Sequence, residues 1–218
     1  MGVIAESSEA AKWLILDSGG TVLDAASLSA SVSVTDANPE LLTELLKVFF
    51  VVKCTHGESK GASLLGAGKV AEGVKGKFTG CTAYTNAALN KNCTPHSPGA
   101  ASGTVETVEL KGALVLHEAF GGIGLVKVEP KSGTTLATLE MSEACPVGEK
   151  VPINGVYFFD DLKLETHEVS HSLTEGPLTD LWVTATKNAE HAARIHILSL
   201  ASLTGFSHGG LAWSGMPE

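Results

Sequence analysis

From Gly103 to Met141 the chain is punctuated by turn residues at short intervals, and this constrains its fold more than any other feature. The separators are Lys111-Gly112, Gly121-Gly122 and Pro130-Lys131-Ser132-Gly133. Between them lie runs rich in Val, Leu, Ile and Thr, at about 103–109, 112–118, 123–129 and 134–141. Each run is too short for a globular helix, and β-branched residues favour the extended state, so each reads as a strand. Strands separated by turns every eight to twelve residues or so predict an antiparallel sandwich or barrel.

The flanking sequence extends this pattern. Lys12–Asp17 reads as a first strand, turned by Ser18-Gly19-Gly20 onto Thr21-Val22-Leu23. Leu28, Ala30, Val32 and Val34 alternate with Ser29, Ser31, Ser33 and Thr35, the period of a strand with one wet face. The period then changes. Asn38 can cap a helix, Pro39 fits its first turn and Glu40 suits its positive end, with Leu41, Leu42, Leu45 and Leu46 at helical spacing. A short helix is predicted near 39–47, followed by a buried strand, Val48–Lys53, that ends at Cys54. Residues 57–76 are glycine-rich but lack both GxxxxGK[ST] and a dinucleotide fingerprint, so they read as weak strands and bends. Val74–Thr79 is a strand entering Cys81, and 82–102 is a loop with turn chemistry. Val151–Phe159 and Leu162–Leu173 read as a strand pair turned at Asp160-Asp161. Leu178–Thr186 is a further strand. In Ala192–Leu203 the alternation of Ile195 and Ile197 with their polar neighbours favours a strand over a helix capped by Asn188. The expected architecture is mainly β, a sandwich or barrel-like antiparallel domain over 12–218 with one short helix, after a flexible lead-in at 1–11.

Composition narrows the function classes. A net charge of −9 opposes attraction to phosphate or anionic headgroups, so no nucleic-acid partner is expected. No run approaches the roughly 18 apolar residues of a membrane span; the most apolar segment, Leu41–Val52, is broken by Thr43, Glu44 and Lys47. The first residues lack a basic and then apolar leader pattern, which implies either a cytosolic protein or a leader replaced by Met1-Gly2. The four cysteines, Cys54, Cys81, Cys93 and Cys145, are an even number at wide spacing with no CxxC. That argues against structural zinc and for two disulfides in an oxidising compartment. Of three possible pairings, the expected one joins Cys81 to Cys93 across a short surface loop and Cys54 to Cys145 as a long-range staple. Four buried free thiols in a cytosolic protein are the alternative.

Several segments resemble a group of uncharacterised secreted proteins of soil actinobacteria. The resemblance rests on Phe78-Thr79-Gly80-Cys81, Cys93-Thr94-Pro95-His96, Leu110-Lys111-Gly112, Glu129-Pro130 and Ser132-Gly133-Thr134. Trp13-Leu14-Ile15-Leu16, Gly176–Asp180 and Trp213–Met216 add to it. It implies export and disulfides, with Met1-Gly2 standing where a leader was removed. It implies no activity.

One motif carries catalytic chemistry. His167-Glu168-Val169-Ser170-His171 matches HExxH, which on a helix sets two imidazoles on one face for zinc and leaves Glu168 as general base. Glu190 would be the third ligand. The motif needs that helix, however, and Leu162, Leu164 and Thr166 lead into it in strand alternation while Gly176-Pro177 cuts it off. On a strand the base and the two histidines point to opposite faces. No GxSxG elbow exists, and the three tryptophans, Trp13, Trp182 and Trp213, offer a carbohydrate platform only if exposed. The expectation is therefore a secreted or cell-surface structural or binding protein without catalytic activity and without a cofactor. Self-association through sheet edges is an accompanying expectation, making a homo-oligomer or a cell-surface component. The alternatives are a zinc-dependent hydrolase (His167, His171, Glu190, with Glu168 as base) and a glycan-binding module.

Overall fold

A computed structural model describes residues 11–23, 29–45, 47–65, 69–117, 123–162, 164–184, 189–204 and 209–217. The chain is mainly β, as expected. The strands are β1 (Ala11–Ile15), β2 (Ser29–Leu45), β3 (Val48–Lys53), β4 (His56–Lys60), β5 (Ser63–Leu65), β6 (Lys69–Thr79), β7 (Thr82–Thr85) and β8 (Ala88–Leu89). They continue with β9 (Val105–Glu106), β10 (Leu110–His117), β11 (Ile123–Pro130), β12 (Thr135–Glu140), β13 (Lys150–Leu162), β14 (Ser170–Glu175), β15 (Asp180–Thr184), β16 (Glu190–Leu203) and β17 (Trp213–Pro217).

Four pairs of short strands act as single bent ones. β4 and β5 run in sequence along one edge of β2, and both also pair with β6. β9 and β10 do the same along the other edge of β6. β11 and β12 follow one edge of β13, while β14 and β15 follow the other. β14 and β15 then share β16, and β16 pairs with β2 from Leu203↔Val32 to Ala193↔Thr43. The circuit β2, β4/β5, β6, β9/β10, β11/β12, β13, β14/β15, β16 and back to β2 is closed. It is an eight-stranded antiparallel barrel in which each strand neighbours the next in sequence. The β3–β7–β8 ribbon continues from β2 outside the circuit.

The breaks are where strands bend to close the ring. Gly155 in β13 has φ 119°, and a Cβ there would sit 2.0 Å from the Asp180 carbonyl oxygen, so only glycine allows β15 to cross at that distance. The predicted helix near 39–47 is not formed. Asn38 adopts φ 49° at an irregularity opposite Ile197, and the chain beyond it stays extended. Both edges of β2 are occupied there, Glu40–Leu45 by β3 and Leu41–Thr43 by β16, so sheet pairing overrides leucine's helical preference. The predicted turn at Asp160-Asp161 is also absent: β13 runs through it to Leu162. The ambiguous 192–203 segment is strand, with inward residues alternately buried.

β1 and β17 form a separate two-stranded sheet joining the two ends of the described chain. The predicted partner of β1, 21–23, keeps only a bridge between Leu16 and Val22, with the Leu23-to-Ile15 and Asp17-to-Thr21 backbone bonds on either side of it. The lead-in 1–11 lies outside the described residues, save Ala11, which opens β1.

Two disulfides form, but with a different pairing from the expected one: Cys54–Cys81 and Cys93–Cys145. Cys54 follows β3 and Cys81 precedes β7, and these two strands pair through Lys53↔Thr82. The two Cα atoms are therefore only 3.9 Å apart across adjacent chains. Cys93 is carried away from Cys81 by the β7–β8 hairpin, which the polar composition of 82–102 disguised as a loop. It ends the 3-10 turn Lys91–Cys93 and meets Cys145 in the β12–β13 connection. Reciprocal backbone bonds between His96 and Glu140 hold the same contact. In the chain-entropy account each bridge contributes about 3–4 kcal/mol. Trypsin cuts at Lys53, Lys60, Lys77, Lys91, Lys111 and Lys131 separate the cysteine peptides. Non-reducing peptide mapping is expected to recover Cys54 with Cys81 and Cys93 with Cys145; a Cys81–Cys93 species would contradict this fold.

Candidate functional site

Strand alternation turns one face of every barrel strand inward. Those faces enclose a cavity of about 200 Å³. It takes apolar wall from each of the eight strands: Val34, Leu64, Val74, Leu110, Val126, Ile153, Leu173 and Ile197. Trp13 of β1 and Trp213 of β17 also line it, so the terminal sheet contributes to its wall. The two indoles lie 6.0 Å apart, 1% and 2% exposed, and Trp13 Nε1 donates to the Lys69 carbonyl at 2.9 Å.

Glu40, Ser59 and Thr107 also line this space, and three buried polar groups belong to residues of its wall. Asp36 continues the inward phase of Val32 and Val34 and is buried. Ser199 of β16 lies opposite it in register and donates its hydroxyl to the Asp36 carboxylate. Gly57 of β4 makes room on the other side. A Cβ there would lie 2.6 Å from the Asp36 carboxyl oxygen and 2.8 Å from the Phe78 ring. Burial pushes the Asp36 carboxyl above its ordinary range, against the smaller opposing effects of the Ser199 hydrogen bond and the His56 charge. The second group is Tyr157 of β13, 5% exposed, whose hydroxyl is buried and has no hydrogen-bond partner among the described residues. Burial raises the Tyr157 hydroxyl, and the nearby Glu175 and Asp36 charges add to that. Glu175, at the β14 end, is itself raised by burial. The third group is the Trp213 indole N–H, likewise buried and unpartnered.

The HExxH residues are not brought together as a metal site. The segment is not a helix, and the predicted strand over 162–173 is interrupted: 165–169 is an irregular connection with Glu165 at φ 53°, and β14 begins only at Ser170. Its backbone is tied to β17: Glu165 N–H donates to Gly215, Trp213 N–H donates to Glu168, and Leu164 bridges Gly215 in parallel. His167 is exposed. His171 is 1% exposed, packs edge-to-face on Trp213 at 4.5 Å between ring centroids, and its Nε2 lies 2.5 Å from the Trp213 carbonyl oxygen. Glu168 lies 3.8 Å from His171 Nδ1, as a neighbour rather than a base across a metal. Glu190 is remote. His171 pairs with Ala201, and Glu190 begins the same strand eleven residues earlier, roughly 35 Å of chain away. These residues do not fit a three-ligand zinc centre. Among the described residues no group of His, Cys, Asp or Glu is arranged to hold a metal ion.

The tryptophan platform is not formed either, since Trp13 and Trp213 are core residues and Trp182 is half-buried on β15. All four cysteines are consumed in disulfides. Ser199 donates to a carboxylate directly, without the imidazole that activates a serine nucleophile. The polar residues that matter, Asp36, Tyr157, Ser199 and Trp213, were not the ones the motifs indicated. A signal existed for the first three: each lies in phase with inward apolar residues of its strand, Val32 and Val34, Val151 and Ile153, and Ile195 and Ile197.

Comparison with family models, with curated proteins and with solved structures finds no match to this chain. Its class is therefore the one that its geometry defines: a disulfide-stapled, eight-stranded antiparallel barrel around an apolar cavity. No helix among the described residues is long and apolar enough to cross a membrane.

Asp36 has a measurable consequence. A carboxyl whose folded value is raised is protonated more readily in the folded state, so its contribution favours folding at low pH and weakens as pH rises past its ordinary value near 4. Asp36→Asn removes that dependence. Denaturation at pH 4 and pH 7 is expected to show the variant gaining stability relative to wild type at the higher pH. A relative loss would mean that Asp36 is stabilised as the carboxylate.

Proposed function

We propose that this is an exported, non-catalytic binding protein that holds one small apolar molecule inside its barrel. The observation that carries the reading is the closed ring of eight strands around an apolar space. Barrels of this size are just wide enough to be filled by their own side chains or to hold one small ligand. A dry cavity of about 150 Å³ binds benzene. The roughly 200 Å³ here suits a single ring with a short substituent. The two disulfides, and the likeness of the sequence to secreted actinobacterial proteins, support export.

Closure weighs against a lattice or filament built by strand pairing, because it removes the barrel edges. The outer ribbon ends on β8, a strand of only two residues. Among the described residues, the zinc-hydrolase reading finds no arranged ligands and the glycan reading no exposed tryptophan face.

Thermal unfolding with toluene or ethylbenzene tests the binding reading. At about one hundred times its Kd a ligand specific for the folded state adds about 2.7 kcal/mol, which for a chain of this length is a rise in Tm of roughly 5–10 °C. Absence of any shift at ligand saturation, together with unchanged NMR signals for inward residues such as Val126 and Ile153, would count decisively against it.

A further inference from the structure

The cavity wall carries one acid whose surroundings are incomplete. Asp36 is 5% exposed and points inward from β2, so the part of it that stays accessible faces the space inside the ring. Its two oxygens differ. Oδ1 accepts the Ser199 hydroxyl, while Oδ2 lies over Gly57 beside the Phe78 ring and has no hydrogen-bond partner among the described residues. Polar atoms with neither a partner nor accessible surface do occur on this wall, at the Tyr157 hydroxyl and the Trp213 indole N–H, but Asp36 has none of them. Those two are sealed in the wall, and Asp36 Oδ2 is the atom that a ligand can meet.

The charge around the cavity is one-sided. Asp36 and Glu40 line it, and its described lining residues include no Lys, Arg or His. Glu40 is paired with Lys53 at 2.7 Å. Asp36 has no ion-pair partner among the described residues. The His56 charge reaches it only from the exposed side of β4, and burial raises its carboxyl against both that charge and the Ser199 hydrogen bond. A buried carboxylate is stable when a cation and further hydrogen bonds complete it, and costly when they do not. Aromatic residues share the lining, Phe78 beside Asp36 and Tyr157 and Phe159 across the ring, and aromatic faces attract cations.

Resting on the barrel as a small-molecule binder, we propose that its ligand is a small apolar amine, a single ring carrying a primary ammonium group, and that Asp36 Oδ2 accepts a hydrogen bond from that ammonium. The ligand supplies the counter-charge that the wall lacks. Fatty and aromatic acids are excluded, because they would meet two acids and no base.

Four matched probes test this by calorimetry at neutral pH: toluene, benzyl alcohol, benzylamine and benzoate. Wild type is expected to bind benzylamine about tenfold more tightly than toluene or benzyl alcohol, the worth of a charge-assisted hydrogen bond. Benzoate is expected not to bind at concentrations that saturate benzylamine. Asp36→Asn keeps the size of the side chain and an oxygen for Ser199 while removing the charge. It is expected to lose the benzylamine preference and to bind toluene at or above the wild-type level. The ranking of the four probes on wild type stands without the variant. Equal affinity for benzylamine and toluene, benzyl alcohol or benzoate binding as tightly as benzylamine, or an amine preference that survives in Asp36→Asn would each overturn the amine assignment while leaving the apolar cavity reading intact. Failure of all four probes to bind would overturn both.

Discussion

The pairing of β2 with β16 is the interaction on which the rest of the structure depends. It joins the first long strand of the barrel to the last, from Leu203↔Val32 to Ala193↔Thr43. Without it the same strands would form an open, strongly twisted sheet with two long unpaired edges. With it, each inward residue faces seven other strands, and the inside and outside of every strand become distinct. β16 shows this most plainly: Ala193, Ile197, Ser199, Ala201 and Leu203 are buried, while Leu198 and Leu200 between them are half exposed.

Closure also explains why the interior contains space. The chain is 44% hydrophobic but only 6% aromatic, so its core is built mainly from Val, Leu, Ile and Ala. In this ring, side chains of that size leave a cavity of about 200 Å³. The two largest buried side chains, Trp13 and Trp213, come from the terminal sheet and not from the ring. His171 packs on Trp213 and binds its carbonyl, which gives the most catalytic-looking histidine of the sequence a structural role. Closure and composition together produce an apolar space inside the ring, and the proposed binding function rests on that space.

Much of this was legible in the residues. The strands from β9 to β12 fall close to the positions their turn residues imply, and the alternation of Ile195 and Ile197 identified β16 as a strand. Local patterns misled where distant pairing decided the outcome. Asn38-Pro39-Glu40 has helix-start chemistry, yet Asn38 serves a bend in β2, because asparagine tolerates positive φ in either setting. The cysteine partners followed from which strands are neighbours, and β3 beside β7 is not visible in spacing alone. HExxH is a motif only on a helix, and here bonds to β17 hold it in an irregular connection that leads into β14. Asp36 and Tyr157 were readable as inward polar residues, but what they face depends on a ring that no local window contains.

Hydrogen exchange along β16 tests closure most directly. Successive amides of a strand point to opposite edges, so in a closed barrel both alternating sets over Ser199–Ser202 are bonded, one to β2 and the other to β14. The account predicts that both sets exchange in the slowest class, together with their partners in β2. If every second amide in this stretch, and in Ser33–Asp36 opposite, exchanged as fast as an exposed loop, the seam would be open and the enclosed cavity would not exist.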